Sequence, residues 1–598
     1  MSMRLLTQAM LFAFVACTAG CGGGGGTSGP TSDGAGSTSL APVGCTTGCS
    51  GNGSASDSTG STPSVAPVAV NHPTQQAASR FLGQATFGPT IAQITQLTNS
   101  DFSSWIGAEF TKPVTQRRVY IDAAQAAAPA GTTVSQNQFF EAFWQQAVQG
   151  DDQLRQRVAF ALSEIFVVSF QDAGVANFPR GVASYYDMLA ENAFGNYRTL
   201  LEQVSLHPMM GLYLTSLHNA KESANRTPDE NYAREIMQLM SIGLNKLNAD
   251  GSLMLAAGKP IETYTTADIT GMAKVFTGWS WAGPDKTATR FNGGTPDPNR
   301  DWMPMQGYPQ FHSTSQKDFL GVSVPAQGAG DPKASLKVAL DTLFNHPNVG
   351  PFIGRQLIQR LVTSNPSPQY IARVSAAFAD NGAGVRGDMK AVIRAILLDP
   401  EARNDNVAAA ASTGKLREPV IRLAHWMRSF NAASASTQFL IHNTDDPLSG
   451  LAQTPMRSPS VFNFYRPGYV PPNTTIAKAA LVAPEMQTVA ETSSTGYLNL
   501  MRDVVPNGIG NNRDIKPEYS AEIALADTPD ALLERVDLLL TAGQMSATLK
   551  NKILGAMNSV TIPAATANNV AVIATARKNR VYLAVFLTLA SPEYIAQK

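Results

Sequence analysis

From His72 onward, apolar side chains recur three and four residues apart along most of the chain, the spacing of helices that bury one face. The pattern predicts helices over residues 74–83, 91–98, 137–149, 151–169, 185–194 and 197–205. It resumes over 333–344, 349–362, 368–379, 388–398 and 415–430, and again over 529–540, 546–557 and 571–589. The most completely specified helix is 227–243, TPDENYAREIMQLMSIG. Thr227 is the expected N-cap, Pro228 suits the first helical position, Glu230 completes a capping box and Gly243 ends the helix. Thr265 or Thr266 starts a further helix that stops at Gly278. Asn248-Ala249-Asp250-Gly251 signals a turn that closes a short hairpin within 247–254.

Two stretches, about 279–332 and 431–484, have no helical period and are rich in Gly, Pro and aromatic residues. Irregular segments of that length inside a folded body are uncommon and often functional. The expected fold is therefore mainly α, with roughly fifteen helices, a minor β-hairpin and two long irregular loops meeting over the 227–243 helix. A main helical domain over 71–500 and a C-terminal helical subdomain over 501–598, packed on it, are expected.

The N-terminal residues follow another pattern. Arg4 precedes an apolar run over 5–16 that is too short to span a bilayer, and small residues then lead to Cys21. Residues 1–21 resemble a bacterial lipoprotein signal in which Cys21 becomes the lipidated first residue; an ordinary secretory signal is the alternative. Gly22, and not aspartate, follows the cysteine, which points to the outer membrane, with the periplasm as the other extracytoplasmic location. Residues 22–70 are Gly, Ser, Thr and Pro with few apolar side chains and are expected to be a flexible tether. Cys45 and Cys49 lie there, spaced for a small disulfide loop in an oxidising compartment; a metal pair is the competing reading. The folded body contains no cysteine, which excludes thiol chemistry and thiolate–metal sites from it. Lys plus Arg and Asp plus Glu both number 45, and a neutral chain lacks the electrostatic footprint of a nucleic-acid binder.

Candidate chemistry concentrates on the 227–243 helix. Glu230 with Arg234, and Asn231 with Glu235, stand one turn apart. A carboxylate held by arginine stays ionised, whereas a second one without a cation has a raised pKa and suits acid–base work. The competing reading is a cap plus an ion network tying helices together. His312 and Lys317, in the first loop, offer a base and an anion-binding donor, or a pair satisfied by solvent and backbone. The nearby aromatics, from Trp279 to Phe311, suit either a sugar-stacking platform or a plug onto the helical body. No HExxH, Glu-x-x-His pair or Cys/His quartet occurs, so no metal and no cofactor is expected. Gly382 to Gly387 spells G-x-G-x-x-G but follows a helix, not a strand, and reads as a helix–helix turn. In the helix over 151–169, the apolar face is wide enough to enclose Arg157 and Glu164 in part.

The segments RFLGQATFG, LRQRVAFALSEIFV, PDENYAREIMQL, DITGMAKVFTGW, FHSTSQKDFLG and SPSVFNF, in this order, resemble the bacterial family catalogued as domain of unknown function 1800, over about residues 74–595. The resemblance implies an exported, mostly helical protein, often encoded beside one resembling alkaline phosphatases and sulfatases. Two function classes follow. One is a non-catalytic envelope scaffold that works with the phosphatase- or sulfatase-like protein on an exported or surface polymer, a polysaccharide among the candidates. The other is an extracytoplasmic enzyme of hydrolase type using Glu230 and Glu235 with His312 and Lys317, which requires these groups to meet in an open pocket.

Overall fold

Capping side chains set the helix starts throughout the computed structural model, which describes residues 72–406, 410 and 412–598. Thr74 accepts from the Ala77 amide, and Ser367 from that of Tyr370. Ser135 with Gln138, and Thr265 with Asp268, form full capping boxes. Among the described residues there are 25 α-helices and five two-stranded antiparallel sheets. The fold is mainly α, as its periodicity predicts. Several of the additional helices are single turns, such as Ala288–Phe291 and Thr475–Lys478, too short to carry a period. The signal, the tether and Cys21, Cys45 and Cys49 lie outside the described residues.

The 227–243 helix is shorter than expected and spans Asn231–Gln238. Its first turn is lost to a tertiary contact. The Asn219 side chain hydrogen-bonds both the N–H and the C=O of Asp229, and the Asp229 carboxylate accepts from the Asn231 amide. Asp229 therefore takes the capping role expected of Thr227, and Glu230 becomes an N-cap residue with no capping side-chain bond. Beyond Gln238 the chain widens, the Met237 carbonyl accepting from both Ile242 and Gly243. Gly243 turns it at φ +70, where a Cβ would press on the Phe352 ring.

The expected hairpin within 247–254 is a single bridge, Leu247 to Leu253, followed by a two-residue ladder pairing Leu255–Ala256 with Lys259–Pro260. The loop after Trp279 is braced by short strands, Lys317–Phe319 pairing with Val322–Val324. This hairpin packs on the helix Thr266–Val275, so closely that a Cβ at Gly271 would collide with the Asp318 carbonyl. The second loop instead comes to the C-terminal end of the Asn231–Gln238 helix, across a cleft. Helix Gln153–Ser163 is buried along its whole length, enclosing Arg157 completely. Near the end of the chain, Ala596–Gln597 pairs with Lys415–Leu416, and the Arg417 amide donates to the Ile595 carbonyl. No described helix is long and apolar enough to cross a membrane.

Candidate functional site

The sequence-predicted residues divide into separate networks. Glu230 is partly exposed, accepts from the Thr270 hydroxyl at 2.8 Å and lies 3.6 Å from Arg234. Asn231 is exposed and turns to the Thr215 hydroxyl rather than to Glu235. Glu235 is buried with one carboxylate oxygen unpartnered; burial raises its pKa and the neighbouring Arg234 only partly opposes this. That is the environment expected of an acid–base carboxyl, but the proposed companions are elsewhere.

His312 and Lys317 are both 0 % exposed. His312 bonds the Thr277 carbonyl at 2.8 Å and the Ser335 hydroxyl at 2.9 Å, and burial pulls its pKa down to about 4. Lys317 donates to the Ser315 carbonyl and to Gln327, and burial lowers its pKa. Its nearest acid, Glu222, is occupied by the hydroxyls of Ser313 and Ser315. No hydrogen bond or ion pair links this group to Glu230 or Glu235 among the described residues. The loop aromatics also face inward: Trp279, Trp281, Phe291 and Tyr308 are buried, and Phe291 stacks on Phe311 at 3.9 Å. They plug the loop onto the body.

The strongest concentration of buried charge lies in another place. Glu164 closes the helix Gln153–Ser163, and Glu418 is the residue before Pro419 at the start of the helix Pro419–Ser429. Their side chains hydrogen-bond as a carboxyl pair, and both are almost wholly buried. Glu485 joins them through Lys415, whose ammonium is 3.0 Å from Glu485 and 3.8 Å from Glu418 and donates to the Arg360 carbonyl at 2.7 Å. Arg360 stands 3.6 Å from Glu164, and Arg157 donates to the same Arg360 carbonyl. Glu164 also accepts from Asn463 and Tyr465, each at 3.2 Å, and Glu418 accepts from Gln453 at 2.8 Å.

This arrangement separates the two carboxyls. Burial drives the Glu164 pKa well up, and the Glu418 charge drives it further. Burial also works to raise Glu418, but Lys415, the hydrogen bond from Glu164 and Arg157 outweigh it, and Glu418 ends below the ordinary value. Glu164 is thus the neutral acid and donates to an ionised Glu418. Burial raises Glu485 as well, against the pull of Lys415. The countercharge to the carboxylates comes from side-chain cations. Among the described residues, no group of three or more His, Cys, Asp or Glu is placed to hold a metal ion.

Glu164 also forms part of the wall of a cleft of about 390 Å³. The helix Val349–Leu361 supplies Phe352, Arg355 and Arg360 to that wall, and the second loop supplies Phe462 and Arg466. Gln238, at the end of the Asn231–Gln238 helix, lies on the same cleft. The anticipated central helix therefore borders the site without supplying its acids. Sequence reading singled out Glu164 as enclosed but passed over Lys415, Glu418 and Glu485. The available signal was Arg360, a charge inside the apolar run LIQRLV.

Comparison with known proteins gives a family and no reaction. Residues 80–596 match the family model described as "Protein of unknown function (DUF1800)". No curated protein and no solved structure matches the chain. With nearly all of its folded body covered by that model, including every residue of the carboxyl pair's surroundings, the chain belongs to the DUF1800 family.

Proposed function

We propose that the chain is an acid–base enzyme of hydrolase type that acts on a ligand in the cleft beside Glu164. The observation that carries this reading is the hydrogen-bonded Glu164–Glu418 pair, whose neutral member lines an open cleft. In the proposed step, Glu164 gives its proton to the leaving oxygen of the ligand as the bond to that oxygen breaks. Water adds its hydroxyl to the electrophilic atom, and the remaining water proton returns to Glu164. Arg360, Asn463 and Tyr465 hold the carboxylate formed in between. The rate falls as pH rises through the elevated Glu164 pKa, because the acid is lost.

Assay of a panel of chromogenic esters, phosphoesters and glycosides tests the reading. At least one is cleaved, and Glu164→Gln lowers that rate by about 10²-fold or more, the usual scale for a general acid. The same substitution sets an NH2 against the Asn463 amide or the Tyr465 hydroxyl and costs about 1–3 kcal/mol, so the rates are compared on protein shown to be folded. Cleavage of none, or equal rates in the variant, would defeat the proposal.

A second reading, a scaffold for a phosphatase- or sulfatase-like partner on an exported polymer, is favoured by apolar side chains left exposed beside the cleft. Leu244 is 54 % exposed and Leu253 47 %. Full turnover loss in Glu164→Gln with unchanged capture of such a partner would assign the two roles to different surfaces.

Export and anchoring through Cys21 form part of the proposal and rest on the sequence of residues 1–21. Cys21→Ser moves the protein from the detergent-extracted membrane fraction to the soluble fraction, read by fractionation and immunoblot; unchanged partitioning would refute the anchor.

A further inference from the structure

Arg355 sits on the helix Val349–Leu361 and contributes to the cleft wall. It is mostly buried, burial lowers its pKa, and no carboxylate or hydrogen-bond partner meets it among the described residues. A guanidinium removed from water and left unpaired is costly, and the cost is recovered when an anion docks on it. Arg466, on the other side of the cleft, is exposed, with its guanidinium 4.8 Å over the Phe462 ring and likewise without a carboxylate. The one acidic residue in the wall, Glu164, already faces Arg360, which leaves Arg355 and Arg466 without an acid of their own there. The cleft therefore presents uncompensated positive charge although the whole chain is neutral.

The rest of the wall is apolar. Leu244, Leu247 and Leu253 line it from one side and Phe352, Val461 and Phe462 from the other. Two of these, Leu244 and Leu253, are about half exposed without a ligand. At about 390 Å³ the space lies toward the small end of ligand pockets, which run from roughly 300 to 1,000 Å³.

We infer that the cleft takes an amphiphilic anion, with its carboxylate or phosphate on Arg355 and Arg466 and its apolar body along the leucines and Phe352. This deepens the enzyme reading by naming its substrate class, and it rests on the same cleft while making no use of turnover. Arginine suits either acidic group, since its planar donors match both bidentately.

Calorimetric titration of the full chain with octanoate, octyl phosphate and octan-1-ol tests it. One or both anions bind at least tenfold more tightly than the alcohol, and the tighter anion identifies the acidic group. Arg355→Gln, which breaks no hydrogen bond or ion pair among the described residues, weakens the anions about tenfold and leaves the alcohol unchanged; Arg466→Gln acts in the same direction. Anion affinity also falls with added salt, as screening requires. Binding of the alcohol as tightly as of the anions, failure of all three to bind, or unaltered anion affinity in both arginine variants overturns the inference. If the arginine variants behave as stated while Glu164→Gln keeps full turnover, the enzyme reading fails and the ligand class stands. If turnover depends on Glu164 and the arginine variants bind normally, the reverse holds.

Discussion

Lys415→Met costs about 3–5 kcal/mol of stability. Lys415 is the cation shared by Glu418 and Glu485, and it fastens both to the Arg360 carbonyl. Methionine fills a similar volume but leaves an ionised carboxylate buried without its nearest countercharge. Urea unfolding followed by circular dichroism measures the loss as a fall in midpoint. Adding Glu485→Gln to Lys415→Met restores part of the stability, since the second change removes one of the orphaned acids; a double-mutant cycle reads that coupling. A Lys415→Met protein as stable as its parent would mean that the network carries its charge by some other route. The contrast with Glu164→Gln is informative, because only one accepted hydrogen bond is lost there and no countercharge is removed.

Acid destabilises the protein between pH 6.5 and 4, with buried histidines as a principal cause. His207, His312 and His425 are all held neutral by burial, His312 down to about 4 and His207 to about 3. An unfolded histidine takes its proton near pH 6.5. Each therefore contributes stability that is fully present above pH 6.5 and is lost as pH falls toward the folded-state value. For His312 the loss reaches about 3 kcal/mol at pH 4, at 1.36 kcal/mol per unit. Asp187 works in the opposite sense, since burial raises it to about 6 and its penalty disappears as the solution is acidified. The decisive quantity is thus the difference between parent and His312→Gln across a pH series of urea midpoints. The variant's decline from pH 6.5 to 4 is shallower by about 3 kcal/mol; parallel curves would mean that His312 takes up its proton without cost.

Much of the fold is written locally. Thr265 and Asp268 lie three apart before an apolar stripe and form the box that their order suggests. Gly243 ends its segment with the left-handed turn that glycine accommodates. The failures are tertiary in origin. Thr227-Pro228 has the composition of a helix start, yet the Asn219 amide ties down Asp229 and moves the start to Asn231. His312 and Lys317 lie on what sequence marks as an irregular loop, but short strands and the close approach at Gly271 draw that loop inward.

The carboxyl pair was hidden for a different reason. Glu164, the Lys415–Glu418 pair and Glu485 stand far apart in sequence, and each has an unremarkable local setting. Glu418 before Pro419 reads as an ordinary helix start, and Glu485 follows a proline in an aperiodic stretch. Acids adjacent in sequence, Glu230 and Glu235, drew attention that acids adjacent in space deserved. Residues 164 and 463 do fall within the segments that carry the family resemblance, which was a pointer to the right region without a pairing.

The antiparallel pairing of Ala596–Gln597 with Lys415–Leu416 bears on the order in which the molecule is made. Elements emerge from the ribosome N-terminus first, so Glu164 is synthesised long before the strand that steadies Lys415. A nascent chain that has reached residue 490 already contains all six ionisable groups of the network but not the clamp on residues 415–417. Final closure of the acid centre therefore waits on synthesis of residues 595–597, long after its acids have left the ribosome.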